Sequence, residues 1–261
     1  MELEIEKLLE IARDAGKVVL EIYNDAEKSG TVEYKEDHSP LTLADKASND
    51  LIVNRIKALM PDIPIMSEEE LHVPYKERKN WEYFWCVDPL DGTKEFINRN
   101  GEFTINIALI HNRIPVLGII YIPVTATMYY ANQETGGWKI DSEGIKTQLK
   151  VDKNSTEWIS VGSRSHAAAE EEEVLARYPV VKKITIGSSL KFCLVAEGLA
   201  HIYFRQNPTM EWDTAAGQAI LTLSGGQMTT LTGEPFLYNK SSLVNGSFIC
   251  GAQYVTLHDG E

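Results

Sequence analysis

The sequence predicts a mixed α/β fold (α+β) in which helices and sheets alternate in layers, and three observations support this prediction. Apolar residues near the N-terminus recur at three- and four-residue steps, which is typical of amphipathic helices. Short runs of branched and aromatic residues follow between turn residues and indicate an antiparallel meander of strands. Strand-like and helix-like segments then alternate toward the C-terminus, which is typical of α/β lobes.

Two helices are predicted before Pro61. The apolar periodicity extends from Leu8 to Ile22 and indicates the first helix. The second begins near Thr42 to Asp45 and ends at Met60, because the following proline disfavours a helical residue before it. Asp45 therefore lies in the first turn of the second helix.

The middle of the chain predicts a buried strand and a three-stranded meander. The run from Tyr83 to Val87 is rich in aromatic and branched residues and ends at Asp88-Pro89. The three further strands are predicted at Phe103 to Ile110, Val116 to Ile122 and Thr127 to Ala131. A polar stretch from Asn132 to Asn154 separates this meander from the rest of the chain.

The C-terminal part alternates between strands and helices. The predicted elements are a strand from Trp158 to Val161, a helix from Ala168 to Arg177, a strand from Val181 to Ile186, a helix from Leu190 to Glu197, a strand from His201 to Phe204 and a helix from Thr214 to Leu223. We expect an N-terminal lobe of about residues 1–150 and a C-terminal lobe of about residues 151–261. No internal repeat or low-complexity linker separates them, so residues 1–261 are expected to form a single unit.

Composition excludes several classes of protein. A formal net charge of −13 argues against binding to nucleic acid polymers, since the average field repels polyanions. No apolar stretch reaches the length of a membrane span, and the N-terminus lacks the apolar core of a signal peptide. The three cysteines have no spacing typical of a disulfide framework or a zinc site. We expect an unexported protein of the reducing cytosol with no integral membrane segment.

A cluster of carboxylates is the strongest functional signal. In the segment from Asp88 to Thr93 (DPLDGT), two aspartates lie three residues apart directly after a strand and can face one point. Glu68 in an acidic loop and Asp213 at the start of a later helix can complete an oxygen-rich set, which Mg²⁺ prefers. If Gly92 and Thr93 open a helix, their free N–H groups offer an anion site for a phosphate.

Each of these residues also has a purely structural interpretation. The two-aspartate motif can be only a turn, and Glu68 can belong to a solvated acidic loop. Asp213 can be the N-cap of its helix, and Asp45 can be a first-turn acid that favours the helix dipole. No single residue decides between the two interpretations.

Three short motifs occur in order along the chain, namely Ser67 to Glu69 (SEE), Asp88 to Thr93 (DPLDGT) and Trp212 to Gly217 (WDTAAG). Together they resemble the inositol monophosphatase superfamily of Mg²⁺-dependent, lithium-sensitive phosphatases. Two longer strings, from Asp88 to Ile110 and from Gly187 to Gly198, resemble its bacterial CysQ branch, the 3′(2′),5′-bisphosphate nucleotidases. The resemblance spans most of the chain. It implies one catalytic unit with the layered αβαβα sandwich of the inositol monophosphatase and sugar phosphatase type.

The resemblance implies a role for each residue of the carboxylate cluster. Thr93 and Asp45 would orient and deprotonate the attacking water, with Glu68 nearby. Two or three Mg²⁺ ions are expected, and their implied ligands are Glu68, Asp88, the backbone carbonyl of Leu90, Asp91 and Asp213. These ions would activate the water and stabilise the leaving oxygen during in-line displacement.

The resemblance also implies residues for substrate choice. A bisphosphorylated nucleotide needs a cationic pocket for the phosphate that does not react. The implied substrate-binding residues are Glu68, Leu90, Asp91, Gly92, Thr93, His166, Ser188, Lys191, Arg205 and Asp213. Structural alternatives stay open, since Ser188 can cap a helix, Lys191 can lie on a solvated helix face and His166 can be a surface histidine.

The implied activity is that of a phosphoric monoester hydrolase. It would convert adenosine 3′,5′-bisphosphate to AMP and phosphate in sulfur assimilation and nucleotide recycling. One alternative is an inositol monophosphatase or sugar phosphatase with the same metals, and another is a non-catalytic nucleotide- or metal-binding regulator. The presence of Thr93 and Asp45 beside the metal ligands disfavours the regulator. A cytoplasmic location is expected, and peripheral association at the inner membrane and the oligomeric state stay open.

Overall fold

The computed structural model describes residues 3–29, 32–34, 40–163 and 169–252. Its helices are α1 (Ile5–Asn24), α2 (Ala26–Ser29), α3 (Leu43–Leu59), α4 (Tyr75–Arg78), α5 (Thr93–Ile97), α6 (Ala169–Leu175), α7 (Leu190–Ala196) and α8 (Glu211–Leu223), with a 3₁₀ turn at Pro123–Thr125. Its strands are β1 (Val32–Tyr34), β2 (Pro40–Thr42), β3 (Ile65–Ser67), β4 (Tyr83–Asp91), β5 (Thr104–His111), β6 (Ile114–Ile122), β7 (Thr127–Asn132), β8 (Gly136–Ile140), β9 (Lys146–Gln148), β10 (Trp158–Ser163), β11 (Val180–Ile186), β12 (Ile202–Arg205), β13 (Thr209–Met210), β14 (Gln227–Thr230), β15 (Val244–Asn245) and β16 (Phe248–Gly251).

The larger sheet contains seven strands in the order β3-β4-β5-β6-β7-β8-β9. β3 runs parallel to β4 and the later neighbours are antiparallel, which confirms the predicted meander. The polar stretch 132–154 was expected only to separate two parts of the chain, but it contains β8 and β9. Their side chains are mostly exposed or half-buried, so they lack the apolar runs that mark the other strands.

The smaller sheet has the order β11-β10-β12-β16-β14. β11, β10 and β12 are parallel, while β16 and β14 pair antiparallel. The parallel strands are joined through α6 and α7, which confirms the predicted alternation of strands and helices in the C-terminal part. A parallel pair needs such a crossover because its strands enter the sheet from the same end.

The helices and sheets form five layers. α1 and α3 cover one face of the larger sheet, and α7 and α8 lie between the two sheets. α6 covers the outer face of the smaller sheet. Successive residues of β4 point to opposite layers, with Phe84 in the inner core and Trp85 in the core under α1. The αβαβα sandwich predicted from the resemblance is therefore confirmed.

Close packing of α8 against the larger sheet and against α7 requires glycine at two positions. A Cβ atom added to Gly118 on β6 would lie 2.4 Å from the carbonyl oxygen of Ala216. A Cβ atom added to Gly217 on α8 would lie 2.2 Å from the ring of Phe192 on α7. A larger side chain at Gly118 would push α8 away from the sheet, and one at Gly217 would push it away from α7. Both shifts would displace Asp213, which α8 carries in its first turn.

Two element boundaries differ from the sequence prediction, and both concern site residues. β4 continues to Asp91 instead of ending at Asp88-Pro89. Its pairing with β5 is interrupted only between Asp88 and Asp91, so Pro89, which has no backbone N–H, is not required to donate a hydrogen bond there. α8 begins at Glu211 instead of Thr214. Asp213 is therefore the third residue of the helix, and the interpretation of Asp213 as an N-cap is wrong because Met210 holds that position.

Among the helices of the described ranges, none combines the length and the apolar character needed to cross a membrane.

Candidate active site

The end of β4 and the start of α5 bring the DPLDGT motif into a fixed turn. Gly92 adopts a left-handed conformation (φ +92°) and precedes Thr93, the first residue of α5, as the sequence analysis anticipated. Asp88 accepts a hydrogen bond from the Leu90 N–H at 3.0 Å. The Ser48 hydroxyl on α3 donates to the Pro89 carbonyl at 2.7 Å and fastens the turn to the helix layer.

Three carboxylates from distant parts of the chain converge on one point. Glu68 follows β3, Asp88 belongs to β4, and Asp213 belongs to α8. One oxygen of each lies within 4.8 Å of the other two. Asp88 is only 1% exposed, and burial raises its pKa well above the ordinary value, with the carboxylates of Glu68, Asp91 and Asp213 adding to the rise. Burial and the neighbouring Asp91 carboxylate likewise raise the pKa of Asp213.

This arrangement fits a divalent cation. The ligand atoms are oxygens only, which hard cations such as Mg²⁺ bind in preference to softer metals. The mutual repulsion and burial that raise the pKa of Asp88 are what a bound cation would offset. The turn-only interpretation of the two aspartates therefore does not account for the convergence of Asp88 with Glu68 and Asp213.

Asp45 reaches the site through Thr93. Thr93 Oγ1 donates to Asp45 Oδ1 at 3.2 Å, while Asp45 Oδ2 accepts from the N–H and the hydroxyl of Thr42 at 2.7 and 2.6 Å. Asp45 is the third residue of α3, so it lies in the first turn as predicted, and it also completes a capping box with Thr42 and holds Thr93. Burial raises the pKa of Asp45 to about 6, although these hydrogen bonds oppose the rise.

The acidic loop that carries Glu68 is anchored to the protein. The Ser67 hydroxyl donates to Asn49 Oδ1 at 2.7 Å, and Asn49 Nδ2 donates to Glu70 Oε1 at 3.2 Å. The Glu68 N–H donates to the Val87 carbonyl at 3.1 Å and continues the pairing of β3 with β4. Glu68 is half-buried, so the interpretation of this loop as merely solvated does not hold for Glu68.

An open cavity of about 290 Å³ joins these groups. Its lining includes the following predicted site residues: Glu68, Asp88, Leu90, Asp91, Gly92, Thr93, Ser188, Lys191, Arg205 and Asp213. Asp45 lies behind Thr93, and His166 lies outside the described residues. We call Glu68, Asp88, Asp91 and Asp213 the acidic wall of the cavity, and Lys191 and Arg205 its basic wall.

The two residues of the basic wall, Lys191 and Arg205, differ in burial. Lys191 is 5% exposed, so it does not lie on a solvated helix face, and its Nζ donates to the carbonyls of Ser188 and Ile186. Burial lowers the pKa of Lys191 to about 8. Arg205 is partly exposed, and its Nε donates to the Asn207 carbonyl at 3.1 Å.

Ser188 is not a helix cap, because Ser189 holds the N-cap position of α7. Ser188 adopts a positive φ of 42°, and its Oγ is buried without a hydrogen-bond partner among the described residues. Ser188 is one of the residues that line the cavity, although its hydroxyl oxygen is itself buried.

Comparison with known proteins identifies the family. The family model described as the inositol monophosphatase family matches residues 2–258. The chain belongs to the inositol monophosphatase family. The 3′(2′),5′-bisphosphate nucleotidase CysQ of Escherichia coli strain K12 is 43% identical over 245 residues, which cover 94% of this chain and 98% of that protein. The protein of the same name from Salmonella typhimurium is 44% identical over 247 residues, with the same coverage of 94% and 98%.

Solved structures support the membership of the inositol monophosphatase family. CysQ from Bacteroides thetaiotaomicron, described as a bacterial member of that family, superposes with a TM-score of 0.82 at 39% identity and covers 95% of this chain and 97% of its own. The inositol monophosphatase from Anabaena superposes with a TM-score of 0.71 at 22% identity, covering 95% and 89% of the two chains. The second similarity concerns the fold alone.

In this member of the inositol monophosphatase family, the side chains that hold Asp91 are not among the predicted site residues. Asp91 Oδ2 accepts hydrogen bonds from Ser189 Oγ at 2.6 Å and Asn106 Nδ2 at 3.3 Å, with Thr104 Oγ1 at the longer distance of 3.5 Å. Asn106 and Thr104 read as ordinary members of an apolar strand, and only the register of β4 with β5 places them beside Asp91. Ser189 lies within the Gly187 to Gly198 string, and this string is the signal in the sequence that points to it.

Proposed function

We propose that this protein is a Mg²⁺-dependent 3′(2′),5′-bisphosphate nucleotidase that hydrolyses adenosine 3′,5′-bisphosphate to AMP and phosphate. One observation carries the proposal: a convergent set of carboxylates lines the same cavity as Lys191 and Arg205. A phosphatase for a bisphosphorylated nucleotide needs a metal site at the reacting phosphate and cationic groups for the other phosphate. The names of the two curated relatives, at 43% and 44% identity, support the same substrate.

Mg²⁺ would be held by the side chains of the acidic wall and the backbone carbonyl of Leu90. We propose two or three ions, in keeping with the number of oxygen ligands around the cavity. The bound ions would neutralise charge on the phosphate and lower the pKa of the attacking water. Glu68 and Asp88 lie close enough to share an ion with Asp213, since their oxygens are within 4.8 Å of one another.

Asp45 and Thr93 would move the proton of the attacking water. Thr93 Oγ1 already donates to Asp45 Oδ1, so a lone pair of this hydroxyl can accept a proton from water as its own proton passes to the carboxylate. With a pKa of about 6, Asp45 is largely ionised at neutral pH and is basic enough to accept this proton. The water oxygen would bond to phosphorus as the bond from phosphorus to the nucleotide 3′-oxygen breaks, with Glu68 proposed beside the reacting group. The 3′-oxygen would take a proton from solvent and leave as the 3′-hydroxyl of AMP.

The substrate would lie with its 3′-phosphate against the turn at Gly92 and Thr93. Leu90, Asp91 and Asp213, which line the same cavity, are proposed to contact the substrate there. Arg205 is proposed to bind the 5′-phosphate, with Lys191 supplying positive charge behind the Ser188 turn. His166 is proposed as a further nucleotide contact on the strength of the resemblance alone, and the cytoplasmic location likewise remains a prediction.

Phosphate release with Mg²⁺ tests the proposal. Adenosine 3′,5′-bisphosphate, inositol 1-phosphate and fructose 1,6-bisphosphate are compared at equal concentration by kcat/KM, with and without lithium. We expect the nucleotide to be preferred and lithium to inhibit the reaction. The Asp91→Asn variant serves as the control for contaminating phosphatase, because it removes a proposed metal-binding charge and should release no phosphate.

Each other outcome overturns a defined part of the proposal. A preference for inositol or sugar phosphate would reject the nucleotide assignment and retain the metal mechanism. Release that does not require Mg²⁺ would reject the metal assignment. No release from any of the three compounds would favour a binding protein without turnover.

A further inference from the structure

We propose that the Ser189 hydroxyl is a positioning residue that selects which oxygen of Asp91 binds a cation and fixes Asp91 relative to Asp213. Ser189 Oγ lies 2.6 Å from Asp91 Oδ2 and 3.0 Å from the backbone carbonyl of Asp213. Asp91 ends β4, and Asp213 lies in the first turn of α8. One buried hydroxyl therefore joins two segments of the acidic wall that are far apart in the sequence.

The position of Ser189 at the start of α7 does not explain this side chain. Ser189 is the N-cap residue of α7, and an N-cap serine ordinarily accepts a hydrogen bond from a backbone N–H of its own helix. Here the Ser189 side chain makes no capping hydrogen bond. The hydroxyl is directed at Asp91 and Asp213 instead, although the residue is only 2% exposed and gains no contact with water by doing so.

The direction of the hydrogen bonds around Ser189 follows from a count of donors. Thr104 Oγ1 donates to Asn106 Oδ1 at 3.0 Å, so the Asn106 amide presents its NH₂ group to Ser189 Oγ at 2.8 Å. Ser189 Oγ accepts there and has one proton of its own to donate. That proton is directed mainly to the Asp91 carboxylate, because the bond is shorter and the acceptor is charged, with the Asp213 carbonyl as a second acceptor.

The network separates the two oxygens of Asp91. Ser189 and Asn106 both direct donors at Oδ2, while the single Thr104 proton is used on Asn106 Oδ1 and Thr104 Oγ1 lies 3.5 Å from Oδ2. Oδ1 receives no hydrogen bond from the described part of the chain. Oδ1 is therefore the oxygen with lone pairs left for a cation, and Asp91 lines the cavity. Asn106 and Thr104 are 1% and 0% exposed, so water does not compete for these bonds.

This inference rests on the metal site of the proposed function and predicts a loss of metal affinity. Residues that orient a metal ligand typically change metal affinity by about 10- to 100-fold when they are removed. We expect Ser189→Ala to weaken binding of Mn²⁺ to the substrate-free protein about tenfold, measured from the electron paramagnetic resonance signal of the free ion. Half-saturation of phosphate release by Mg²⁺ should rise by the same factor, while kcat at saturating Mg²⁺ stays within about twofold.

Two further variants separate positioning from simple loss of stability. Ser160→Ala removes the same atom from another buried serine whose hydroxyl has no partner among the described residues, and it should bind Mn²⁺ like the wild type. Ser189→Cys keeps the shape of the side chain but offers only a weak S–H donor, and it should lose Mn²⁺ affinity while remaining folded. A metal-free unfolding transition is recorded for each variant.

The outcomes are distinguishable from a failure of the proposed function. Wild-type protein that binds no Mn²⁺ would reject the proposed metal site and this inference with it. Wild-type protein that binds Mn²⁺, beside Ser189→Ala and Ser189→Cys variants with unchanged affinity, would reject the role of Ser189 alone. A lower kcat at every Mg²⁺ concentration with unchanged Mn²⁺ affinity would show a general structural role and also reject it.

Discussion

The acidic wall and the basic wall of the cavity both bury charge, but they satisfy that charge differently. Lys191 donates to two backbone carbonyls, and the charges of Asp91, Glu95 and Glu102 favour its ionised form. Asp88 receives one backbone N–H, and the three carboxylates around it oppose its ionisation. The acidic wall therefore depends on a bound cation far more than the basic wall depends on a bound anion.

Asp88→Asn removes the charge of the carboxylate that has the most carboxylate neighbours in the acidic wall. The amide keeps the shape of the side chain but removes the charge that a cation would bind, and metal contributes several kcal/mol to such a reaction, so kcat/KM should fall by about 10³-fold. The metal-free variant should nevertheless be more stable than wild type at pH 7, because burial and like charges disfavour the ionised Asp88. Phosphate release and urea unfolding in EDTA measure the two effects.

The matched control for this variant is Asp50→Asn, which makes the same substitution at an exposed position of α3. It should change neither activity nor stability appreciably. If Asp88→Asn is less stable than wild type without metal, the buried carboxylate has a counter-charge that the geometry does not show.

Metal and pH should act on stability in opposite directions. The pKa values of Asp45, Asp88 and Asp213 are raised in the folded protein above the ordinary 3.8, so the folded state binds more protons than the unfolded state. The free energy of unfolding of the metal-free protein should therefore fall as pH rises from about 4 through the raised values, of which that of Asp45 is about 6.

Mg²⁺ should restore the stability that is lost at neutral pH. At about a hundredfold excess over its dissociation constant it should add roughly 2.7 kcal/mol at pH 7.5, and less at pH 5, where protons compete for the carboxylates. Urea unfolding at both pH values, with Mg²⁺ or with EDTA, measures this difference. An equal effect of Mg²⁺ at the two pH values would contradict the link between the carboxylates and the metal.

Much of the fold was predictable because its signals are local. The apolar periodicity of α1 and the proline after α3 determine those helices within a few residues, and the apolar runs of β5, β6 and β7 identify the meander. β9 was not predictable in this way, because all its side chains are exposed and its pairing with β8 comes from backbone hydrogen bonds. The predicted start of α8 at Thr214 is three residues late because an aspartate before an apolar run is as typical of an N-cap as of a first turn, and Asp213 lies in the first turn.

The candidate site was predictable as a set of residue types but not as a geometry. The convergence of Glu68, Asp88 and Asp213 depends on the order of strands and on the contact of α8 with the larger sheet. The contribution of Asn106 depends on the register of β4 with β5, since a shift of one residue would turn its side chain to the opposite face. Such side chains carry no sequence pattern of their own, so the structure was needed to find them.

Arg205→Gln tests whether the basic wall binds the 5′-phosphate of the nucleotide. A charged hydrogen bond to a phosphate is worth about 1.5–3 kcal/mol, so kcat/KM for adenosine 3′,5′-bisphosphate should fall by at least about tenfold. Activity on adenosine 3′-monophosphate, which lacks the 5′-phosphate, should stay within about twofold of wild type. Steady-state kinetics on both nucleotides measures the difference.

Arg177→Gln is the control, since Arg177 is exposed beyond the end of α6 on the outer face of the smaller sheet. It should behave like wild type on both nucleotides. An equal loss of activity on both substrates in Arg205→Gln would place Arg205 at the reacting phosphate and reject its assignment to the 5′-phosphate.

Ser188→Ala should have the smallest effect and tests whether the basic wall includes a neutral donor. The Ser188 hydroxyl is buried without a partner in the part of the chain that the structure describes. Its removal should therefore leave the free energy of unfolding within about 0.5 kcal/mol of wild type or raise it slightly. If the hydroxyl binds the nucleotide, kcat/KM should fall about threefold, as expected for one neutral hydrogen bond.

The control is Ser160→Ala, which removes another buried hydroxyl that has no partner among the described residues and lies away from the cavity lining. It should show the same stability without the kinetic loss. Unchanged kinetics in Ser188→Ala would leave Arg205 and Lys191 as the nucleotide contacts of this wall, whereas a large loss of stability would mean that the hydroxyl has a partner within the protein.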